Sequence, residues 1–432
     1  MTNRKKYIRQ VRFLFIVAII SVCAFLLNKC KEDKKHTGNK TTEIISQKGS
    51  REDSLTKTEK NFAGGKADSS SMSERSESNQ QIAEKRAKKI VDKMTIDEKV
   101  YQMFIVSPEQ LTGVSRVTAA GTTTKNALEK YPVGGILCLS QNIVSRNQTQ
   151  MMLSNMQAYS KIPVFTAVDE EGGVVSRLGN NSKMGTTSFP NMKDIGSTGD
   201  TNQAYNVGYT IGKECKELGF NLDFAPVADV FSNPENTVIG NRAFSDDPNI
   251  TANMVSSCVK GFKDARMLCT IKHFPGHGDT VADSHYESAT TLKTLEELQE
   301  LEFVPFVKGI ESGADFVMVG HILTPNITDD TTPATLSEEM ISILRNELKF
   351  DGIIITDAMN MAAITDYYSA SEAAVTAIKA GADMILLPED FHMAVTGVKH
   401  ALETGEIKEK EISDSVIRII ETKIRAGIII KE

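Results

Sequence analysis

Eight short apolar runs, each followed by a longer helical pattern, limit most strongly how this 432-residue chain can fold. The runs fall at 102–106, 135–139, 164–168, 221–224, 269–272, 316–320, 353–356 and 384–387. Between them, apolar residues recur with helical spacing, as in 203–218, 253–265, 295–312, 337–348 and 369–380. Strands joined by such crossovers lie parallel, and eight of them favour closure into a barrel. The expected class is therefore α/β, with a single (β/α)8 TIM-type barrel; a doubly wound open sheet is the alternative use of the same elements. Polar residues gather just after the runs: Asp169-Glu170-Glu171, Asp229, Lys272-His273, His321 and Asp357. In a barrel these positions meet at the C-terminal mouth, where sites are built.

The barrel accounts for residues 83–432, and a Thr95-x-x-Glu98 capping box opens it. Ahead of it the composition changes. Residues 1–30 carry a basic flank (Arg4, Lys5, Lys6, Arg9, Arg12) and then an apolar core from Phe13 to Leu27, broken only by Ser21. That is the pattern of an export signal with its N-terminus left inside. No small-x-small cleavage pattern follows, which favours a retained signal anchor over cleavage and secretion. A helix of this core reaches only ~22 Å of a ~30 Å hydrocarbon layer, and Arg12 and Lys29 can snorkel to make up part of the difference. Cys23 and Cys30 lack the tripeptide expected ahead of a lipidated cysteine. Residues 31–82 are mostly Lys, Ser, Thr, Glu, Asn and Gly, too few large apolar groups to offset ordering entropy, and read as a disordered polar linker. The expected location is extracytoplasmic, anchored at the cell membrane.

The net charge of -7 and the mixed charges of the linker exclude a nucleic-acid partner. Cys138, Cys215, Cys258 and Cys269 sit in apolar contexts at no metal-ligand spacing, so buried thiols are expected rather than a disulfide framework.

The chemistry concentrates in Lys272-His273-Phe274-Pro275-Gly276-His277-Gly278-Asp279-Thr280, followed by Asp283-Ser284-His285. Two glycines and a proline shape a loop that a buried strand delivers. So many polar groups in such a loop read as an active site. Asp357 ends the seventh run, where it is either a helix N-cap or an acid aimed at the barrel axis. A metal centre built from His273, His277, His321 and Asp357 is not expected. No His-x-His pair follows the first run, and Pro275-Gly276 keeps His273 and His277 off a common helix.

These residues resemble the signature of family 3 glycoside hydrolases, in the β-N-acetylglucosaminidase branch. The resemblance covers roughly 90–430 and recurs in order: Val168-Asp169-Glu170-Glu171-Gly172-Gly173, Leu222-Asp223-Phe224-Ala225-Pro226, Gly240-Asn241-Arg242-Ala243-Phe244, Val317-Met318-Val319-Gly320-His321 and Thr356-Asp357-Ala358-Met359. It implies a barrel, with Asp357 the nucleophile of a glycosyl-enzyme intermediate. It makes His285 the general acid/base and Asp283 its orienting partner. Asp169, Arg177, Arg242, Lys272 and His273 match residues that hold a terminal N-acetylglucosamine. Glu170 departs from the glutamine usual there. An imidazole suits the acid/base role because its pKa lies near the operating pH.

The resemblance thus implies an exo-acting retaining β-N-acetylhexosaminidase acting on cell-wall or chitin-derived glycans or muropeptides, with no cofactor. A β-glucosidase or β-xylosidase of the same family is a neighbouring reading, which Asp283-Ser284-His285 disfavours. A phosphorylase of the same sugars and a non-catalytic sugar sensor on a tether are the others. His277 is expected to shape its loop by hydrogen bonding. Oligomeric state is not written in the sequence.

Overall fold

Every expected apolar run becomes a strand: β1 (Phe104–Val106), β2 (Gly135–Leu137), β3 (Phe165–Val168), β4 (Leu222–Asp223), β5 (Leu268–Phe274), β6 (Phe316–Val319), β7 (Ile353–Ala358) and β8 (Met384–Leu386). The computed structural model describes residues 69–280, 289–328 and 331–430, with side chains from Gln80 onward. Each strand pairs in parallel with its neighbours in sequence, and β1 pairs with both β2 and β8. The sheet therefore closes into a barrel, and the open doubly wound arrangement is excluded. Strands in such a sheet are covered on both faces, so their side chains form continuous apolar runs. Phe104, Ile105, Val106, Ile353, Ile354 and Ile355 are all fully buried.

The helices follow the expected pattern with two instructive differences. The stretch 295–312 splits into Leu295–Glu300 and Phe303–Glu311. Pro305 has no N–H to give the carbonyl four residues back, so the ladder breaks there. The first helix among the described residues runs Ser69–Val91, starting inside the polar stretch and ahead of the domain start expected at residue 83. Ala83, Ala87 and Val91 recur every fourth residue on one buried face, and the helix packs on Glu409–Arg425. The capping box of Thr95 and Glu98 is formed. Among the described residues no helix is long and apolar enough to cross a membrane; the expected anchor at 1–30 lies outside them.

The two ends of the barrel differ in chemistry. At the N-terminal end, Asp383 takes Arg345 at 2.6 Å, Arg418 at 2.8 Å, the Ser415 hydroxyl at 2.9 Å and the Ile354 N–H at 2.9 Å. Lys423 is fully buried there and donates to Gln102 Oε1 at 2.7 Å, and burial drives its pKa well down. These contacts fasten the closing helices under the strands. Cys138, Cys215, Cys258 and Cys269 are free and buried, and burial pushes the Cys138 thiol up to about 12. The C-terminal end is left open for ligand.

Candidate active site

The mouth holds a cavity of about 330 Å³, lined among others by Asp169, Glu171, Arg177, Arg242, Lys272, His273, His277 and Asp357. The residues come from the ends of different strands: Asp169 directly follows β3, Lys272 and His273 lie in β5, and Asp357 lies in β7. This volume is at the small end of ligand cavities, which span ~300–1,000 Å³. It suits a ligand about the size of a single ring rather than a chain.

Two carboxylates organise the cations on one wall. Glu171 is almost fully buried and accepts from Arg242 Nε and Nη2, each at 2.8 Å. The Lys272 ammonium lies 2.6 Å from Glu171 Oε1 and donates to Asp169 Oδ1 at 2.9 Å. Arg177 stands 3.9 Å from the other oxygen of Asp169. Burial alone would raise the Glu171 carboxyl, but Arg242 and Lys272 overcome it and hold it far below the usual glutamate range. Burial likewise opposes the charge on Lys272, and Asp169 and Glu171 raise its pKa nonetheless. An ammonium has three N–H groups, so Lys272 keeps a donor for a ligand after meeting two acids. Arg177 Nε is buried without a hydrogen-bond partner among the described residues.

Glu170 does a different job. It is not part of the cavity wall. Its carboxylate accepts the N–H groups of Arg177 at 2.6 Å, Leu178 at 2.7 Å and Gly179 at 3.0 Å, together with the Ser176 hydroxyl. Burial pushes its pKa up against these donors. An acceptor-only side chain fits this crowd of donors, so Glu170 fixes the loop that carries Arg177. The departure from glutamine therefore shapes the loop rather than the cavity wall.

Asp229, in the segment after β4, anchors the β5 loop. Its Oδ2 lies 2.7 Å from His273 Nδ1, and its Oδ1 accepts the backbone N–H groups of His273 at 3.1 Å and His277 at 2.7 Å. His273 Nε2 is 3.3 Å from Arg242 Nη2, which ties the imidazole to the cationic wall. His277 meets Thr280 Oγ1 through Nδ1 at 2.7 Å and its carbonyl takes Asn236 Nδ2 at 2.7 Å, as its expected loop-shaping role requires. Burial, then the neighbouring His273, lowers the His277 pKa. The glycines permit this path. Gly276 has φ +129°, and a Cβ there would come within 2.6 Å of Glu302 Oε2. A Cβ on Gly278 would come within 1.6 Å of the Val230 carbonyl oxygen.

Asp357 faces the same cavity, its Oδ1 accepting the Ala358 N–H at 2.7 Å. Burial would raise its carboxyl, but His273, His321, that N–H and Lys272 together hold it below the usual aspartate range. It is thus an ionised carboxylate at the wall of the cavity at neutral pH. His321 lies beneath, with Nδ1 2.8 Å from Thr335 Oγ1 and Nε2 3.0 Å from the Ala358 carbonyl. It braces the turn that carries Asp357.

The structure therefore brings Asp357, Asp169, Arg177, Arg242, Lys272 and His273 to one cavity. Asp283 and His285 lie outside the described residues. Sequence reasoning placed Glu171 and Asp229 at the mouth but gave them no role, and it passed over Glu302, which packs behind the β5 loop against Gly276. The first two were read there as acids just past strand ends; nothing local marks Glu302.

Residues 95–422 match the family described as Glycosyl hydrolase family 3 N terminal domain. Beta-hexosaminidase A of Pseudoalteromonas piscicida is 32% identical over 328 residues, covering 69% of this chain and 54% of that protein. Beta-hexosaminidase LpqI of Mycobacterium tuberculosis is 35% identical over 301 residues, covering 68% of this chain and 76% of that protein. A solved glycoside hydrolase family 3 beta-N-acetylglucosaminidase from Paenibacillus sp. superposes with a TM-score of 0.73 at 35% identity, covering 78% of this chain and 63% of that one. The chain thus spans about half the length of the first of these relatives and under two thirds of the solved one.

Proposed function

The chain belongs to glycosyl hydrolase family 3, and from that premise we propose that it is an exo-acting retaining β-N-acetylhexosaminidase. It removes terminal β-linked N-acetylglucosamine from cell-wall or chitin-derived glycans. The observation that carries this reading is Asp357, a carboxylate with a lowered pKa in a one-sugar cavity whose wall is lined by Arg242, Lys272 and Arg177. The names of its hexosaminidase relatives supply the sugar.

In this mechanism Lys272, Arg242 and Arg177 donate to the hydroxyls and Asp169 accepts from them. His273, locked by Asp229, completes the grip. Asp357 attacks the anomeric carbon, so the Asp357–sugar bond forms as the glycosidic bond breaks. The departing oxygen takes a proton from His285, which Asp283 orients. Water then attacks the same carbon, gives its proton to His285 and releases Asp357. Two displacements at one carbon retain its configuration. A proton donor of this kind is worth ~10²–10⁴-fold.

Residues 1–30 extend the reading to place: a signal anchor holding the enzyme outside the cytoplasmic membrane, with the polar stretch after it as tether. A chromogenic N-acetylglucosaminide, compared with the matching glucoside and xyloside, tests the activity. Selective release from the first sugar, abolished in Asp357→Ala, is expected. Preference for the glucoside or xyloside, or no turnover at all, contradicts the reading. Products from defined peptidoglycan fragments with and without phosphate separate hydrolysis from phosphorolysis.

A further inference from the structure

Three cations meet in a hollow at the other end of the barrel. It measures about 440 Å³, larger than the cavity at the mouth, and is lined among others by Lys263, Arg266, Met267, Leu268, Asp315 and Arg425. Leu268 opens β5 and Asp315 directly precedes β6, so the hollow lies at the N-terminal ends of the strands, away from Asp357. Its cations come from the ends of two helices, Pro248–Asp264 and Glu409–Arg425.

The charges there do not balance. Asp315 is buried and both its oxygens are taken: Lys263 Nζ donates to Oδ1 at 3.0 Å and the Cys269 N–H to Oδ2 at 3.3 Å. Arg425 Nε stands 3.7 Å from Glu421, a loose pair. The Arg266 guanidinium has no hydrogen-bond or ion-pair partner among the described residues. Lys216 adds a fourth positive charge, donating to the Arg266 carbonyl at 2.7 Å; burial, then the charge of Arg266, lowers its pKa. A chain of net charge -7 thus keeps positive charge uncompensated around one hollow.

Arg266 is also held there at a steric cost. Helix Pro248–Asp264 ends with the Arg266 N–H on the Lys263 carbonyl at 2.9 Å and the Met267 N–H on the Phe262 carbonyl at 3.0 Å, with Arg266 at φ +57°. Glycine is the usual residue in that left-handed position. Helix Glu409–Arg425 ends with the same pair of bonds at the same hollow, and there the position is Gly427 at φ +71°. A cation in the last turn of a helix ordinarily answers its negative end, which accounts for Lys263 and Arg425. Arg266 lies past the end with its donors unused. Lys349 shares the left-handed conformation at another helix end, so strain alone does not mark a site; an unpaired guanidinium in a cationic hollow does.

We propose that this hollow binds the phosphate of a phosphate ester. A guanidinium presents paired N–H groups that match two phosphate oxygens, and Arg266 and Arg425 with Lys263 supply the charge. Met267 and Leu268, both buried, add apolar lining for the carbon part of the ester. A soluble or polymeric glycerol phosphate and the headgroup of an anionic phospholipid carry that same group.

The test titrates the full chain with glycerol phosphate at low ionic strength by calorimetry, with glycerol as the uncharged control. Saturable binding of the ester and none of glycerol is expected. Arg266→Gly relieves the left-handed strain, so it folds as wild type does, and it weakens the ester at least about tenfold through loss of a charge-assisted contact. Arg425→Gln acts in the same direction. Both variants keep wild-type turnover of a chromogenic N-acetylglucosaminide, because neither residue lines the cavity of Asp357. Hydrogen exchange of residues 263–268 separates the sources. Slowing by phosphatidylglycerol vesicles beyond that by phosphatidylcholine vesicles, with none by the ester, assigns a lipid headgroup; slowing by the ester assigns a soluble or polymeric one. A response to neither, or one that persists unchanged in both variants, overturns the assignment.

Discussion

Glu171 takes both arms of the Arg242 guanidinium at 2.8 Å while the Lys272 ammonium sits 2.6 Å from the same carboxylate. One buried acid thus sets the positions of two cations that face the ligand. It holds the two cations at a fixed spacing on the cavity wall.

Glu171→Gln keeps the shape and removes the charge. Breaking one partner of a buried ion pair costs ~3–5 kcal/mol, so denaturant titration should show a loss of roughly that size. Turnover of a chromogenic N-acetylglucosaminide should show KM raised by more than ~10-fold. Unchanged KM in a folded variant would mean that Arg242 and Lys272 do not depend on Glu171.

Gly276 is held at φ +129° with Glu302 Oε2 2.6 Å from where a Cβ would be. Gly276→Ala should therefore shift the loop that carries His277 and weaken the hold of Asp229 on His273. A stability loss of ~1–3 kcal/mol, with a larger fractional loss of activity, is expected by thermal melting and initial-rate assay. A variant as active and stable as wild type would show that the loop tolerates a side chain here.

Glu302 gives the fold a pH signature. Burial pushes its carboxyl up to about 8, against the pull of Lys293. Unfolded, it titrates near ~4.3. Between those values the folded state binds the extra proton, so this group's contribution is intact below the unfolded pKa. It is lost as pH rises through the folded one. Glu302→Gln should flatten that loss, gaining ~2–4 kcal/mol over wild type between about pH 5 and about pH 9. Parallel denaturation curves for the two proteins across that range would contradict it.

The leaving group should reveal His285. A sugar hydroxyl departs poorly without a proton, whereas nitrophenol needs little help. His285→Ala should slow disaccharide cleavage by ~10²–10⁴-fold and aryl-glycoside bond breaking far less, so that the covalent intermediate builds up. Asp283→Ala should act in the same direction more mildly. Equal losses on both substrate types would assign His285 a binding or structural role instead.

The barrel was legible because a parallel strand covered on both faces, such as Ile353-Ile354-Ile355, needs an unbroken apolar run. The split of 295–312 was also written in the chain, at Pro305, but the helical spacing on either side outweighed it. Asp357, Lys272 and His273 stood out because they end strands. Glu171 and Arg242 are 71 positions apart, and no local pattern announces that they pair. Glu302 is less legible still: it sits among other glutamates in an amphipathic stretch, and only the fold shows it to be fully buried against Gly276 and Ser232. The carboxylate of Glu170 explains itself only once the donors of Arg177, Leu178 and Gly179 are seen to converge on it.

The proposed mechanism turns on covalent glycosylation of Asp357. The direct measurement is acid quenching of His285→Ala during turnover of a nitrophenyl N-acetylglucosaminide, followed by peptide mass spectrometry. One N-acetylglucosamine is expected on the peptide containing Asp357, absent when Asp357 is also replaced by alanine. An unmodified Asp357 peptide, together with product of inverted anomeric configuration from the wild-type enzyme, would contradict it.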